Sequence, residues 1–129
     1  IAFYGDSAAF VSAGGYHHHI GLNTWHSKDG SPPPPPATGL YHVAIRFPSR
    51  AALAGALRRV LDAGITLQGA SDHGVSEAIY LADPDHNGIE LYRDRPADQW
   101  PRSPNGEIAM STGPLDLDAL LAGGSNDAR

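Results

Sequence analysis

Along residues 40–47, LYHVAIRF, apolar and polar side chains alternate, with Val43, Ile45 and Phe47 on one side and His42, Ala44 and Arg46 on the other. A period of two is that of a half-buried strand. The period then changes. Ser49 precedes Leu53, Leu57, Val60 and Leu61 at helical spacing, and Gly64 follows them, which predicts an amphipathic helix of about four turns with a cap at one end and a stop at the other. After it ITLQGAS (65–71), EAIYLAD (77–83) and GIELYRD (88–94) read as strands, the last two joined by the turn-rich DPDHNG. Residues 40–95 therefore read strand, helix, strand, strand, strand.

Upstream, SAAFVSA (7–13) and YHHHIGLNTW (16–25) form a predicted hairpin about Gly14-Gly15, a pair that tolerates positive φ. Residues 26–39, HSKDGSPPPPPATG, hold five consecutive prolines and read as an exposed polyproline II linker. Downstream, residues 94–101 read as a tail over the last strand. GPLDLDALLA (113–122) reads as a short helix capped near Asp116 and docked through Leu117, Leu120 and Leu121, either closing over a site or serving an interface. Trp25 and Trp100 are expected to pack.

The hairpin repeats. AFVSAGGYHHHIGLN (9–23) aligns without gaps on AIYLADPDHNGIELY (78–92), so that Ala9, Ala13, His17, Ile20 and Leu22 meet Ala78, Ala82, His86, Ile89 and Leu91. If the halves are equivalent, the first should also own a strand and helix like those of 40–63, which at that offset would precede Ile1. The expectation is a truncated first unit: either the chain is a fragment of a longer protein, or the opening IAFY is the scrap of an earlier helix.

Composition narrows the chemistry. At 129 residues the chain has the length of one ordinary domain, and with no cysteine it can have neither disulfides nor thiolate metal sites, so any metal must use His and carboxylate. The net charge of -5, with nine Lys and Arg scattered singly, makes nucleic acid and anionic membranes poor partners. No apolar run approaches the roughly 20 residues that span a bilayer, and no signal peptide is legible, so a cytoplasmic protein is expected.

Alternation assigns faces. If Ile89 and Leu91, Ile79 and Leu81, Val43, Ile45 and Phe47, and Ile20 and Leu22 face the helix side, then Glu90, Tyr92, Tyr80, His42, His17, His19 and Asn23 share the opposite face. A solvated outer face is the bland fate of such a set. One histidine and one carboxylate together also suit a divalent first-row metal, for which a third ligand would make a 2-His-1-carboxylate triad.

SDHGVSEAIYLADPDHNGIELYRDRP (71–96), with LYHVAI before the helix and GGYHHHIGL upstream, resembles the vicinal oxygen chelate (glyoxalase/bleomycin resistance/extradiol dioxygenase) superfamily, and within it the type I, catechol 2,3-dioxygenase-like extradiol dioxygenases. The resemblance covers residues 7–101. It implies an α+β fold of paired βαβββ modules whose mixed sheet curls into a metal cup. Residues 1–25 would be the last strands of a first, incomplete module, 26–39 the linker, 40–95 a complete module and 96–129 a C-terminal tail with a short helix. It implies His42 and Glu90 as ligands of Fe(II) or Mn(II), His73 and Tyr80 as groups that meet the substrate, and a histidine of YHHHIGL as the acid–base group on the dioxygen side. Motif spacing leaves His18 or His19 for that role; the face argument favours His19, with His17 beside it.

The family's first metal histidine lies on the opening strand of the preceding module, which these residues lack, and the repeat equivalent of Glu90 is Gly21. A third ligand is expected from that missing strand, a second chain, or His17 or His19. The implied reaction inserts dioxygen into a small aromatic diol. It needs open metal positions, an imidazole able to give or take a proton near neutral pH, and a phenol donor at Tyr80. Arg46 is a candidate for an anionic ring substituent, and Asn23 and Tyr92 for further substrate contacts. A homo-oligomer is expected. The competing readings are a metal-free binder of planar ligands on the same fold, as in drug-sequestering resistance proteins, and a glyoxalase-like isomerase or lyase.

Overall fold

The computed structural model describes residues 1–123, and the chain divides into two units, Ile1–Ala37 and Thr38–Arg129. The end of the expected C-terminal tail, 124–129, lies outside the described residues. The fold is α+β, as expected, with two sheets and two helices among the described residues.

In the second unit β4 (His42–Arg46) leads to α1 (Arg50–Asp62), then to β5 (Gly69–Asp72), β6 (Ser76–Ala82), β7 (Gly88–Asp94), a 3-10 turn at Ala97–Gln99, β8 (Gly113–Pro114) and α2 (Leu117–Gly123). The sheet order is β4-β7-β6-β5-β8, with β4 parallel to β7 and the other pairs antiparallel. The α1 boundaries follow from the caps. Ser49 accepts the Ala52 amide through its hydroxyl at 3.1 Å, and at the far end Gly64 takes φ 68° while the Ile65 amide returns to Val60 O at 3.1 Å. That return uses up the residues expected to open the next strand, so β5 begins at Gly69 rather than Ile65.

One face of the sheet carries the core. Leu53 and Leu57 of α1 are fully buried against Ile79, Leu81 and Leu91, with Leu120 of α2 completing the cluster. Leu117 and Leu121 pack beside it, and Asp116 caps α2 by accepting the Ala119 amide at 2.9 Å, as read from the sequence. Two details differ. Gly113 and Pro114 pair with Asp72 and Ser71 instead of starting the helix, and α2 packs beside α1, which rules out its closing over the opposite face. Of the expected apolar row on β4 only Phe47 reaches the core; Ile45 is 37% exposed, because β4 is an edge strand.

Glu77 shares the core side yet is charged, and it is only 3% exposed. Arg93 donates to it at 2.8 Å, Arg50 at 3.1 Å and Arg95 at 3.4 Å; Arg95 also binds Asp72, and Arg50 reaches Ala119 O of α2. A buried carboxylate is tolerated because three guanidinium groups replace its water. The network ties the end of β5 to β6, β7, α1 and α2.

The first unit is an antiparallel sheet, β1 (Ala2–Tyr4), β2 (Ala8–Val11) and β3 (Ile20–Asn23), in sequence order. IAFY is thus an edge strand and no remnant of a helix. The three strands mirror β5, β6 and β7 in order, but their register differs by one residue. Ala9 stands opposite Leu22, whereas its repeat partner Ala78 stands opposite Tyr92. Gly21 therefore faces Phe10, whose ring a Cβ at 21 would meet at 3.3 Å. Its glycine makes room for an aromatic ring where the other copy carries a carboxylate.

Candidate functional site

The face of the second sheet away from α1 collects the polar side chains. Cross-strand partners run Gly69, Tyr80, Glu90, Ala44 in one row, and Gly88 stands opposite both Ala82 and His42 in the next. Because β4 and β7 run parallel, His42 lies diagonal to Glu90, and the two meet: His42 Nε2 is 3.0 Å from Glu90 Oε2. That proximity depends on Gly88, where a Cβ would stand 2.2 Å from Tyr41 O. Only glycine lets β4 approach β7 so closely.

The other Glu90 oxygen, Oε1, lies 3.3 Å from the Tyr80 hydroxyl, which in turn is 2.8 Å from His73 Nε2. His73 Nδ1 lies 2.9 Å from Ser111 O, and since a carbonyl only accepts, Nδ1 carries a hydrogen. Four predicted residues, His42, Glu90, Tyr80 and His73, thus form one polar chain, ordered His42, Glu90, Tyr80, His73 and anchored at Ser111. His42 and Glu90 side chains are 31% and 14% exposed, so the chain is half-sheltered and still reachable. Burial pushes the Tyr80 phenol above its ordinary 10.0, and the Glu90 charge and hydrogen bond push it further. It remains a proton donor at neutral pH.

His73 owes its position to a tight turn. Gly74 adopts φ 76°, its amide bonds Asp72 Oδ1 at 2.9 Å, and the Ser111 amide donates to His73 O at 3.1 Å. Burial raises the Asp72 carboxyl, but the Gly74 amide and Arg95 outweigh it and hold it below the usual range. The buried network around Glu77 therefore supports the turn that carries His73.

The remaining predicted residues lie elsewhere. Tyr92 shares the face, half-buried, one row beyond Glu90. Arg46 is also on that face, 68% exposed, and donates to Asp94 at 3.4 Å. His17, His18 and His19 are in the first unit and not in a strand. The Gly14-Gly15 turn, φ 67° and 74°, opens into a loop that ends only where the His19 amide bonds Val11 O at 2.9 Å. Strand alternation does not apply there. The rings cluster instead: His17 Nδ1 and His18 Nδ1 are 2.7 Å apart, Tyr16 stacks near His17 at 4.0 Å, and His19 Nδ1 meets Ser12 Oγ at 3.0 Å. Asn23, at the end of β3, accepts the Trp25 amide at 3.3 Å. Trp25 is 62% exposed, contrary to expectation, while Trp100 is half-buried with its indole N–H on Arg95 O.

A metal can be tested against these donors. Two ligands about 2.1 Å from one divalent ion and at right angles stand about 3.0 Å apart, and His42 Nε2 and Glu90 Oε2 are 3.0 Å apart. The pair fits. Among the described residues no group of three His, Asp or Glu side chains converges, so a third donor is not supplied there.

Sequence reasoning missed Ser111, 38 residues from His73 and without any local signal. It also missed Glu77, Arg93 and Arg95, which were legible: counting outward from DPDHNG places Glu77 opposite Arg93.

Comparison with known proteins adds three findings. A family model described as Glyoxalase/Bleomycin resistance protein/Dioxygenase superfamily matches residues 2–91. The chain is 51% identical over 84 residues to a protein of Bacillus subtilis (strain 168) named catechol-2,3-dioxygenase, an alignment covering 65% of this chain and 29% of that protein. It is 32% identical over 95 residues to a Rhodococcus globerulus protein named biphenyl-2,3-diol 1,2-dioxygenase 3, covering 73% and 50%. The chain spans half or less of the length of each relative.

Proposed function

The chain belongs to the glyoxalase/bleomycin resistance protein/dioxygenase superfamily, and from that membership we propose that it carries part of an extradiol, ring-cleaving dioxygenase centre acting on a small aromatic diol. The observation that carries the reading is the His42–Glu90 pair at 3.0 Å, with the second carboxylate oxygen held by Tyr80. His42 and Glu90 would hold Fe(II) or Mn(II). A third donor would have to be added to this pair, since among the described residues no third His, Asp or Glu converges on it. Bound there, the metal would supply open positions for a catecholate and dioxygen and pass electrons between them.

The protein's own groups have separate tasks. Glu90 holds its coordinating oxygen in place because Tyr80 engages the other. Tyr80, protonated at neutral pH, would turn its one hydrogen from Glu90 to a substrate oxygen, and His73, 2.8 Å from the phenol oxygen, is placed to restore a proton to it once that hydrogen has passed to the substrate. Tyr92, on the same face one row beyond Glu90, is a further substrate contact. Arg46, 68% exposed on the same face, would meet an anionic ring substituent by exchanging its 3.4 Å contact with Asp94.

The test is oxygen uptake and ring-opening absorbance with a panel of catechols, in Fe(II) and in Mn(II), for the wild type and Glu90→Ala. Uptake that falls at least a hundredfold in the variant supports the reading. Fe(II) and Mn(II) affinity that Glu90→Ala leaves unchanged, together with no uptake from any catechol, sinks it and favours a ligand binder or an isomerase on the same fold.

A further inference from the structure

After the 3-10 turn the chain makes a detour before β8 that the core does not need. Residues 101–109 fold back as a small hairpin: Arg102 and Ile108 pair as an antiparallel bridge, the Ala109 amide donates to Pro101 O at 2.8 Å, and the Ser103 amide donates to Glu107 O at 2.9 Å. Ile108 and Met110 are 47% and 68% exposed, and no residue from 96 to 114 joins the hydrophobic core. The matching family model ends at residue 91, before the detour begins.

The detour closes on the turn that carries His73. Ser111 meets His73 through both backbone groups, its amide donating to His73 O at 3.1 Å and its carbonyl accepting from His73 Nδ1 at 2.9 Å. Thr112 Oγ1 lies 3.4 Å from the same nitrogen, and the next residue, Gly113, pairs with Asp72 on β5. Pro101 packs on the turn itself, since a Cβ at Gly74 would stand 2.9 Å from Pro101 Cγ, and the Trp100 indole, bonded to Arg95 O at 2.8 Å, anchors that proline. The two ring nitrogens of His73 therefore have different neighbours. Nδ1 faces the Ser111 carbonyl, which only accepts, whereas Nε2 faces the Tyr80 hydroxyl at 2.8 Å, which donates or accepts.

We propose that the 101–112 detour is a positioning clamp: Pro101, Ser111 and Thr112 pin the hydrogen on His73 Nδ1 and so leave Nε2, facing Tyr80, as the atom through which His73 exchanges a proton. The inference rests on the dioxygenase reading for the use of that proton and on the clamp's geometry alone for the tautomer. Free histidine prefers the opposite form, with its hydrogen on Nε2, and in a folded chain the hydrogen bond made by one ring nitrogen decides the state of the other. With Nε2 bare, the imidazole accepts from the Tyr80 hydroxyl. With a proton added there, it donates to the phenol oxygen, and the Nδ1 hydrogen is the same in both states. The Tyr80 hydrogen can then pass to Glu90 or to a substrate oxygen without the His73 ring turning.

The experiment is long-range proton–nitrogen NMR of the full chain carrying nitrogen-15 histidine, at about pH 8, where an ordinary histidine is neutral. Loss of a signal set in His73→Asn assigns His73. The wild type should show a protonated Nδ1 and a bare Nε2 at His73, and Tyr80→Phe should keep that form, because the clamp and not the phenol sets it. Ser111→Ala, which retains both backbone groups, should keep it too. Ser111→Pro, which removes the amide that donates to His73 O, should make the Nε2–H form at least as populated as the Nδ1–H form. Circular dichroism confirms the fold, and Pro101→Gly, expected to shift the tautomer the same way, decides should the proline variant not fold. An Nε2–H tautomer in the wild type, a tautomer that reverses in Tyr80→Phe, or one indifferent to the clamp variants overturns the proposal. The spectra need neither metal nor catechol, so a dioxygenase reading sunk by the Glu90→Ala test leaves the clamp standing, and an Nε2–H His73 sinks the clamp and leaves the metal pair.

Discussion

Replacing Glu77 by glutamine keeps the side chain's shape and one acceptor, removes its charge, and aims an N–H at an arginine. Four contacts change: Arg50 to both oxygens at 3.3 and 3.1 Å, Arg93 at 2.8 Å and Arg95 at 3.4 Å. Each charge-assisted bond is worth about 1.5–3 kcal/mol at most, but they do not count equally. The Arg50 and Arg95 side chains are 33% and 25% exposed and keep Ala119 O and Asp72 as partners, so their loss of Glu77 costs little. Arg93 is only 12% exposed and stays buried beside a group that no longer neutralises it. That one bond, plus crowding of three cations, gives a loss of about 3 kcal/mol, the low end for breaking a buried pair. With a urea slope of about 1.5 kcal/mol/M, the midpoint should fall by about 2 M. Trp100 is the reporter, since it is half-buried in the same unit with its indole N–H on Arg95 O, while Trp25 is 62% exposed. A midpoint shift under about 0.5 M would refute the idea that this network holds the end of β5 and the His73 turn.

Gly88→Ala should force β4 away from β7, since its Cβ would fall 2.2 Å from Tyr41 O. Urea unfolding should show a loss of about 1–3 kcal/mol, and metal affinity should drop as His42 moves off Glu90. Tyr80 has a folded-state pKa above 10.0, so the folded chain keeps a proton that the unfolded chain releases. Stability should therefore fall as pH rises above about 10, and Tyr80→Phe should flatten that limb in thermal melts. Burial raises the Asp83 carboxyl, but bonds from the Asn87 side chain and from the Asn87 and Asp85 amides outweigh it and lower it below 3.8. Its contribution is present above 3.8 and lost as pH falls through the folded value, so Asp83→Asn should lessen acid destabilisation below about pH 4.

The legible part of this protein is the part built on an unbroken ladder. His42, Tyr80 and Glu90 share a face because β4, β6 and β7 keep the two-residue period through a regular register, and GIELYRD is a strand over its full predicted length. The histidine triplet was misread for the opposite reason. Two left-handed glycines open a wide loop, the partner strand shifts by one residue, and neither the strand nor the faces carry over from the repeat. Ser111 could not be found at all, because a backbone carbonyl has no sequence signature.

The central claim is that His42 and Glu90 ligate one divalent metal, and Mn(II) titration of the full chain followed by electron paramagnetic resonance tests it directly. His42→Ala and Glu90→Ala should each weaken binding by more than the roughly 10–100-fold that an outer partner is worth, while His86→Asn, on the exposed turn before β7, leaves it unchanged. Mn(II) affinity that is the same in all four proteins would contradict the account.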